Sequence, residues 1–246
     1  PGIDPFNEPV NVLNEYIKNN PNSIHAEELQ DICVHILLKS NDYNAALECM
    51  EQYPDLSPEL KKIQSELTYS AGMQQYKEGA YSEALNYFKK SSQVEALFWT
   101  ADTYYLLKDE NKALQNYLQF IKDPKASGSE VYALAYYNLG YLYLNRGDFK
   151  NSMTKFKEFV IHDKSSDNLR QADSWMRVGD CHFVQRQYND AITSYSNAVK
   201  IDDKNADYAY YQQAMGYGAL GKTNEKISCL NIITERYKKS SFYDKA

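Results

Sequence analysis

The sequence of 246 residues has little cysteine, proline or glycine, and it contains no long apolar run. Its four cysteines are too few and too scattered for a disulfide framework, and no Cys/His cluster has zinc-site spacing. We expect Cys33, Cys49, Cys181 and Cys229 to be buried free thiols. No stretch approaches the roughly 20 apolar residues that span a bilayer, so no membrane-spanning helix is expected.

Charge of one sign is nowhere concentrated. The net charge of −6 comes from 33 acidic and 27 basic residues spread along the chain. Phosphate binding needs a clustered basic surface, so nucleic acid is not an expected partner. Alternating β-type runs are also missing and helix-forming residues dominate, which predicts an all-α protein.

Tyrosine is the abundant residue, with 23 copies against 9 phenylalanines. A tyrosine ring packs on one side and keeps its hydroxyl hydrated on the other, which suits half-buried surfaces. The hydrophobic share of 43% is enough for a continuous core in an elongated stack of helices.

A small residue in mid-helix is followed, twelve residues later, by a second small residue or once by lysine. The pairs are Gly72/Ala84, Ala101/Ala113, Gly140/Ser152, Gly179/Ala191 and Ala214/Lys226, with a weaker copy at Val34/Ala46. Self-similarity of this period predicts stacked helical hairpins, because each hairpin has an apolar face that only its neighbours can cover.

The clearest copy covers the 34 residues 172–205 and reads W-x2-V-G-x2-H-x5-Y-x2-A-x3-Y-x2-A. Gly179 and Ala191 allow the two helices to cross closely, while Tyr188 and Tyr195 fill the space around the crossing. This pattern resembles the tetratricopeptide repeat, and the resemblance covers nearly the whole chain.

The resemblance implies an all-α, right-handed superhelical solenoid of about six antiparallel helix hairpins in a single array. We expect residues 240–246 to start a further helix, so that the chain is a piece of a longer protein. The predicted segments are a half repeat at 1–22 and hairpins at 23–57, 58–93, 94–128, 129–166, 167–205 and 206–239.

Three copies have a large residue where the family has alanine near the end of the second helix: Tyr53, Phe120 and Phe159. The spacing also lengthens to 39 residues between Val94 and Ala133 and again between Ala133 and Ala172. These departures resemble tetratricopeptide proteins of the bacterial cell envelope, of the Tol–Pal coordinator and barrel-assembly lipoprotein type. The resemblance favours a bacterial, periplasmic or envelope-associated protein.

The sequence offers no convincing catalytic, cofactor or metal site. Residues 216–221 spell G-x-G-x-x-G, but they end a helix instead of joining a strand to a helix. Residues 203–214 begin like a calcium loop and then have Tyr208 and Ala214 where glycine and glutamate are required. We expect His182 to be a packed core residue. The chain is therefore predicted to be no enzyme and to need no cofactor.

First helices line the concave side in this family, which gives a candidate surface for a protein or peptide partner. Their inward positions here are Tyr69, Met73, Tyr76, Phe98, Asp102, Tyr105, Tyr137, Tyr141, Met176, Asp180, Tyr208 and Tyr211. A groove rich in aromatic groups and methionine suits an extended or helical peptide. The alternative is that these rings only pack between adjacent first helices.

Other functions of the family fit less well. Adaptors that hold the C-terminal carboxylate of heat-shock chaperones need lysine and asparagine at paired inward positions, and no repeat here has that pair. Glycan binding, as in starch-utilisation lipoproteins, would need long irregular insertions, and the longest irregular stretch is near residues 123–129. A spacer or self-association module, forming a homo-oligomer, is a third possibility.

Overall fold

A computed structural model describes residues 7–20, 23–40, 42–52, 56–166 and 168–246. These residues form α-helices and short 3-10 helices, and none of them lies in a strand. The α-helices are α1 Asn7–Asn19, α2 Ala26–Lys39, α3 Tyr43–Glu51, α4 Pro58–Glu78, α5 Tyr81–Lys90, α6 Val94–Leu106, α7 Glu110–Lys122, α8 Tyr132–Asn145, α9 Phe149–His162, α10 Asn168–Val184, α11 Tyr188–Ile201, α12 Asp207–Ala219 and α13 Thr223–Arg236. The 3-10 helices are Ala126–Gly128, Asp203–Asn205 and Tyr243–Lys245.

The helices belong to two compact units. The N-terminal unit, residues 1–109, contains α1 to α6, and the C-terminal unit, residues 110–246, contains α7 to α13. Within each unit, every helix packs against the helix that follows it in the sequence. This is the packing expected of consecutive hairpins, each of which covers the apolar face of its neighbour.

Polar side chains fix several helix starts. Ser57 precedes α4, and its hydroxyl accepts a hydrogen bond from the Leu60 amide at 3.3 Å. Asp148 precedes α9, and its carboxylate accepts from the Asn151 amide at 3.1 Å. Each cap satisfies a backbone N–H that has no partner inside the helix, so the turn before the helix is set locally.

A glycine of the first helix faces an aromatic ring of the second helix in three hairpins. The pairs are Gly72 with Phe88, Gly140 with Phe156, and Gly179 with Tyr195. All three rings are buried, and a methyl group placed on any of these glycines would lie within 2.7 Å of the opposing ring. The close crossing predicted at Gly179 is therefore confirmed, with Tyr195 as the residue that fills it.

Five of the connections between successive helices each contain one residue in the left-handed backbone region, seven positions after the mid-helix small residue. These residues are Gly79, Lys108, Gly147, Arg186 and Gly221, with φ between 61° and 81°. Glycine adopts this region without a steric penalty, whereas an L side chain costs about 1–2 kcal/mol. Among the described residues, Lys108 and Arg186 thus mark turns where the backbone is strained.

We expect Arg186→Gly to raise the free energy of unfolding by about 0.5–1 kcal/mol, because relief of the strain exceeds the entropy cost of glycine. Arg186 is exposed at φ 61°, so little packing is lost. Urea unfolding followed by circular dichroism measures the change. Arg186→Ala is the matched control and should give no gain. Equal stabilities of the two variants would contradict the strain argument.

Other sequence predictions can be compared with the buried core. All four cysteines are buried free thiols, as predicted. Phe120 and Phe159 are also buried, whereas Tyr53 lies outside the described residues. His182 is half-buried instead of packed in the core, because its Nδ1 lies 2.7 Å from the Gln187 side-chain oxygen. Among the described helices, none combines the length and hydropathy needed to cross a membrane.

Candidate interaction surface

Two tyrosines of α8 share one carboxylate of α10. The Tyr137 and Tyr141 hydroxyls both donate to Asp173 Oδ2, at 2.8 and 2.5 Å. Their rings lie edge to face, with centroids 5.2 Å apart, as expected for tyrosines four residues apart on a helix. A hydrogen bond to a carboxylate is stronger than one between neutral groups, so both rings are held in place.

Arg177, also on α10, lies between two carboxylates of its own helix. Its Nε donates to Asp173 Oδ1 at 3.2 Å, and a terminal nitrogen donates to Asp180 Oδ2 at 2.6 Å. The guanidinium carbon also lies 5.3 Å from the ring centroid of Tyr208 on α12. The arginine is therefore fixed by two ion pairs and one cation–π contact.

Asp180 extends these contacts to the next two helices. Its Oδ1 accepts hydrogen bonds from Tyr195 of α11 at 2.8 Å and from Tyr208 of α12 at 2.7 Å. We call the set Tyr137, Tyr141, Asp173, Arg177, Asp180, Tyr195 and Tyr208 the tyrosine–aspartate network. It joins three successive first helices, α8, α10 and α12, through side chains alone.

Burial governs the ionisation of the network. Burial and the nearby aspartates raise the pKa of Tyr137 and of Tyr208 to about 12. Burial and the bond to Asp173 raise the pKa of Tyr141, and burial beside Asp180 raises that of Tyr195. Burial alone would lower the pKa of Arg177, but Asp180 and Asp173 outweigh it and the net shift is upward. The tyrosines are therefore neutral, and the arginine charged, at ordinary pH.

Apart from the fully buried ring of Tyr195, the network presents half-buried rings and carboxylates, not reactive groups. The four tyrosine hydroxyls donate to the two aspartates, and Arg177 neutralises one of the two negative charges. Among the described residues, no three His, Cys, Asp or Glu side chains are grouped so as to hold a metal ion. The arrangement is chemically suited to contact another molecule through rigid ring faces and a few polar atoms.

A smaller cluster of the same kind lies in the N-terminal unit. Trp99 of α6 donates from Nε1 to the Tyr69 hydroxyl at 3.0 Å, and Tyr76 of α4 donates to the Asp102 carboxylate. The Tyr76 and Trp99 rings meet edge to face at 5.2 Å. Both units therefore link successive first helices through tyrosine hydroxyls.

The remaining predicted positions have other environments. Phe98 is only 1% exposed, so it cannot contact a partner and is a core residue; without a hydroxyl, its ring gains from complete burial. Met73 and Met176 are half-buried and pack against core clusters. Tyr105 is 37% exposed at the end of α6. Tyr211 stacks on Phe242 near the C-terminus.

Three residues of the network, Asp173, Arg177 and Tyr195, were not among the predicted positions. The signal that could have identified Asp173 and Arg177 is charge spacing on α10, where Asp173, Arg177 and Asp180 are four and three residues apart. Opposite charges at these spacings are neighbours on one helix face. The prediction followed only the positions expected to point inward and so omitted the side chains that orient the tyrosines.

Two of the cavities in the described part of the chain were not predicted from the sequence. One, of about 530 Å³, lies in the N-terminal unit and is lined by Leu47, Glu48, Glu51, Thr68, Glu83, Asn86, Tyr87 and Lys90. The other, of about 390 Å³, lies in the C-terminal unit and is lined by residues 127–130, 132, 133 and 162–165. The second cavity is formed where the connections α7–α8 and α9–α10 meet, and these connections belong to the two lengthened spacings.

Comparison with known proteins agrees with the helix pairing. One tetratricopeptide repeat profile matches residues 137–206, and a second matches residues 95–126 and 208–240. No curated protein gives a significant sequence match.

Several solved structures are similar in fold. A crystal structure of MamA protein gives a TM-score of 0.60 at 19% identity, over 74% of this chain and 96% of that chain. MamA from residue 41 to its end, from Desulfovibrio magneticus RS-1, gives 0.57 at 15% identity, over 72% and 97%. BtubC (BKLC) from P. vanneervenii gives 0.50 at 13% identity, over 95% and 89%.

At these identities the likeness concerns the fold alone. Together with the profile matches and the helix hairpins, it confirms the predicted fold class. The chain belongs to the tetratricopeptide repeat superfamily.

Proposed function

We propose that this chain is a noncatalytic protein-interaction scaffold that binds a peptide segment of a partner across the tyrosine–aspartate network. The observation that carries the proposal is the side-chain linkage of α8, α10 and α12. It brings Tyr137, Tyr141 and Tyr208 together with Arg177 around two carboxylates. Tyrosine and arginine are the residues that most often dominate binding energy at protein interfaces.

The hydrogen bonds of the network favour binding because they restrict the rings before a partner arrives. A side chain that is immobilised on binding costs about 0.5–1.5 kcal/mol, and a ring already held by a carboxylate avoids most of that cost. Tyr137, Tyr141 and Tyr208 are only half-buried, so part of each ring remains accessible. The network is thus pre-organised for contact.

We expect Tyr141→Ala to weaken peptide binding by at least about tenfold, because the change removes a ring and leaves Asp173 with one donor fewer. Peptides selected from a random library against the unaltered chain serve as probes, and calorimetry measures their affinity. Circular dichroism checks that helicity is retained.

Tyr143→Ala is the matched control for this experiment. Tyr143 lies on the same helix, two residues away and also half-buried, but outside the network. Its substitution should change the affinity by less than about twofold. Selected peptides that bind Tyr141→Ala and the unaltered chain equally well would refute the proposed function.

A further inference from the structure

The C-terminal segment of the chain lies against α12. The Ser240 hydroxyl donates to Asp207 Oδ2 at 2.5 Å. The Phe242 ring stacks on Tyr211, with centroids 4.8 Å apart and planes at 27°, and it meets the Tyr208 ring at 5.8 Å. We call Asp207, Tyr208 and Tyr211 the aromatic slot. Phe242 is its intramolecular occupant.

The segment is held by few contacts. Ser240 and Phe242 are half-buried, while Ser241 and residues 243–246 are exposed. The backbone hydrogen bonds described for residues 240–246 connect residues 237–246 only with one another. The contacts described between this segment and α12 are therefore made by side chains, chiefly one stacked ring and one serine hydroxyl.

The slot is continuous with the tyrosine–aspartate network. Tyr208 belongs to both, because its ring contacts the Phe242 ring and the Arg177 guanidinium, and its hydroxyl donates to Asp180. A peptide that crosses the network from α8 to α12 reaches the aromatic slot at its end. The bound Phe242 shows the chemistry that this end accepts.

We propose that the aromatic slot recognises an aromatic side chain of the partner peptide, and that residues 240–246 occupy the slot until the partner displaces them. We infer the residue types of the partner peptide from those of the segment that occupies the slot. This segment has a hydroxyl residue two positions before the ring, bonded to Asp207, and a cation three positions after it, since Lys245 Nζ lies 5.5 Å from the Phe242 ring centroid. This inference rests on the proposed function, because it assigns one end of the same surface.

The experiment uses a fluorescently labelled peptide with the sequence of residues 237–246 as the probe and the chain of residues 1–246 as the receptor. In the unaltered chain the tethered segment competes with the probe at a high local concentration. We expect the Phe242→Ala chain to bind the probe at least about tenfold more tightly, as measured by fluorescence anisotropy. A probe with alanine in place of its phenylalanine should lose this affinity.

Tyr243→Ala is the matched control, since Tyr243 is the adjacent ring, is 39% exposed and has no ring contact with the described residues. The Tyr243→Ala chain should bind the probe as weakly as the unaltered chain does. The double variant Phe242→Ala, Tyr211→Ala should lose the gain, because the stacking partner is gone. Circular dichroism verifies that each variant is folded.

Two results would overturn the proposal. The first is that the Phe242→Ala and Tyr243→Ala chains bind the probe with equal affinity, while Tyr141→Ala still weakens the binding of the library peptides. This result would reject the aromatic slot as a binding site and leave the proposed function intact. The second is a concentration-dependent dimer of the unaltered chain, seen by light scattering, that Phe242→Ala abolishes. In that case the occupant comes from a second copy of this chain and not from a separate partner.

Discussion

We expect a rise in pH from about 10 to 12 to remove several kcal/mol of stability from the C-terminal unit. The reason is the set of tyrosines whose pKa is raised by burial and by neighbouring aspartates. Tyr137 and Tyr208 have a pKa of about 12 in the folded chain, against an ordinary value of 10.0. Between these two pH values the folded protein binds more protons than the unfolded one, so the free energy of unfolding falls as the pH rises.

The size of the effect follows from the number of tyrosines involved. The raised pKa of each of the two tyrosines, Tyr137 and Tyr208, corresponds to about 1–2 kcal/mol of stability once its partial contact with solvent is taken into account. Tyr141 and Tyr195 add to the loss, because burial also raises their pKa. The sum is comparable with the total stability of a typical domain, about 5–15 kcal/mol.

The measurement combines tyrosinate absorbance with the helical circular dichroism signal as the pH is raised. We expect both signals to change together, because the buried tyrosines ionise as the helices unfold.

Tyr208→Phe is an informative variant, since it lacks one hydrogen bond to Asp180 but also one ionisable hydroxyl. It should be less stable than the unaltered chain at pH about 8 and lose less stability between pH about 10 and 12. Tyrosine ionisation complete at pH values where the helices remain intact would contradict the prediction.

Gly179→Ala should destabilise the chain by about 3 kcal/mol, although glycine to alanine in mid-helix ordinarily stabilises by about 0.5–1 kcal/mol. The added methyl carbon would lie 2.5 Å from Cε1 of Tyr195 and 2.8 Å from its Cζ. That ring is fully buried and its hydroxyl is bonded to Asp180, so it cannot move without loss of both packing and a hydrogen bond.

Gly128→Ala is the matched control, because a methyl group there meets nothing within 4 Å. It should change the free energy of unfolding by less than about 0.5 kcal/mol. Urea unfolding measures both variants. The double variant Gly179→Ala, Tyr195→Leu should recover part of the loss relative to the sum of the single changes, since the smaller side chain leaves room for the methyl group. A neutral Gly179→Ala would show that the crossing tolerates more volume than the structure indicates.

The helix hairpins were predictable from the sequence because their determinants are local and periodic. Gly179 and Tyr195 are sixteen residues apart in one copy, and Gly140 and Phe156 repeat the spacing in another. A small residue opposite a ring is needed wherever two helices cross closely, so the pattern recurs along the chain.

The hydrogen-bond partners of the tyrosines were not predictable in the same way. Tyr141 and Asp173 are 32 residues apart, whereas Tyr208 reaches back 28 residues to Asp180. Which carboxylate a hydroxyl meets depends on the offset between adjacent first helices, and the lengthened spacing between Ala133 and Ala172 changes that offset. The repeat pattern therefore predicts the helix face on which a residue lies, but not its partner on the neighbouring helix.

The position of a residue within the repeat also did not predict whether its side chain is exposed or buried along the first helices. Tyr69, Phe98 and Tyr137 occupy the same place in three repeats, yet only Phe98 is fully buried. The two tyrosines carry hydroxyls that reach Trp99 and Asp173, which holds their rings near the surface. Side-chain chemistry thus decides burial where the backbone position is equivalent.

The division of the helices into two units gives the chain two separate optical reporters. Its two tryptophans fall one in each unit, with Trp99 bonded to Tyr69 and Trp175 packed against the core around Ala172. Tryptophan fluorescence responds to the polarity around the indole ring. In a Trp99→Phe chain this fluorescence comes only from Trp175 in the C-terminal unit. The order in which the two units melt can therefore be followed without any attached dye.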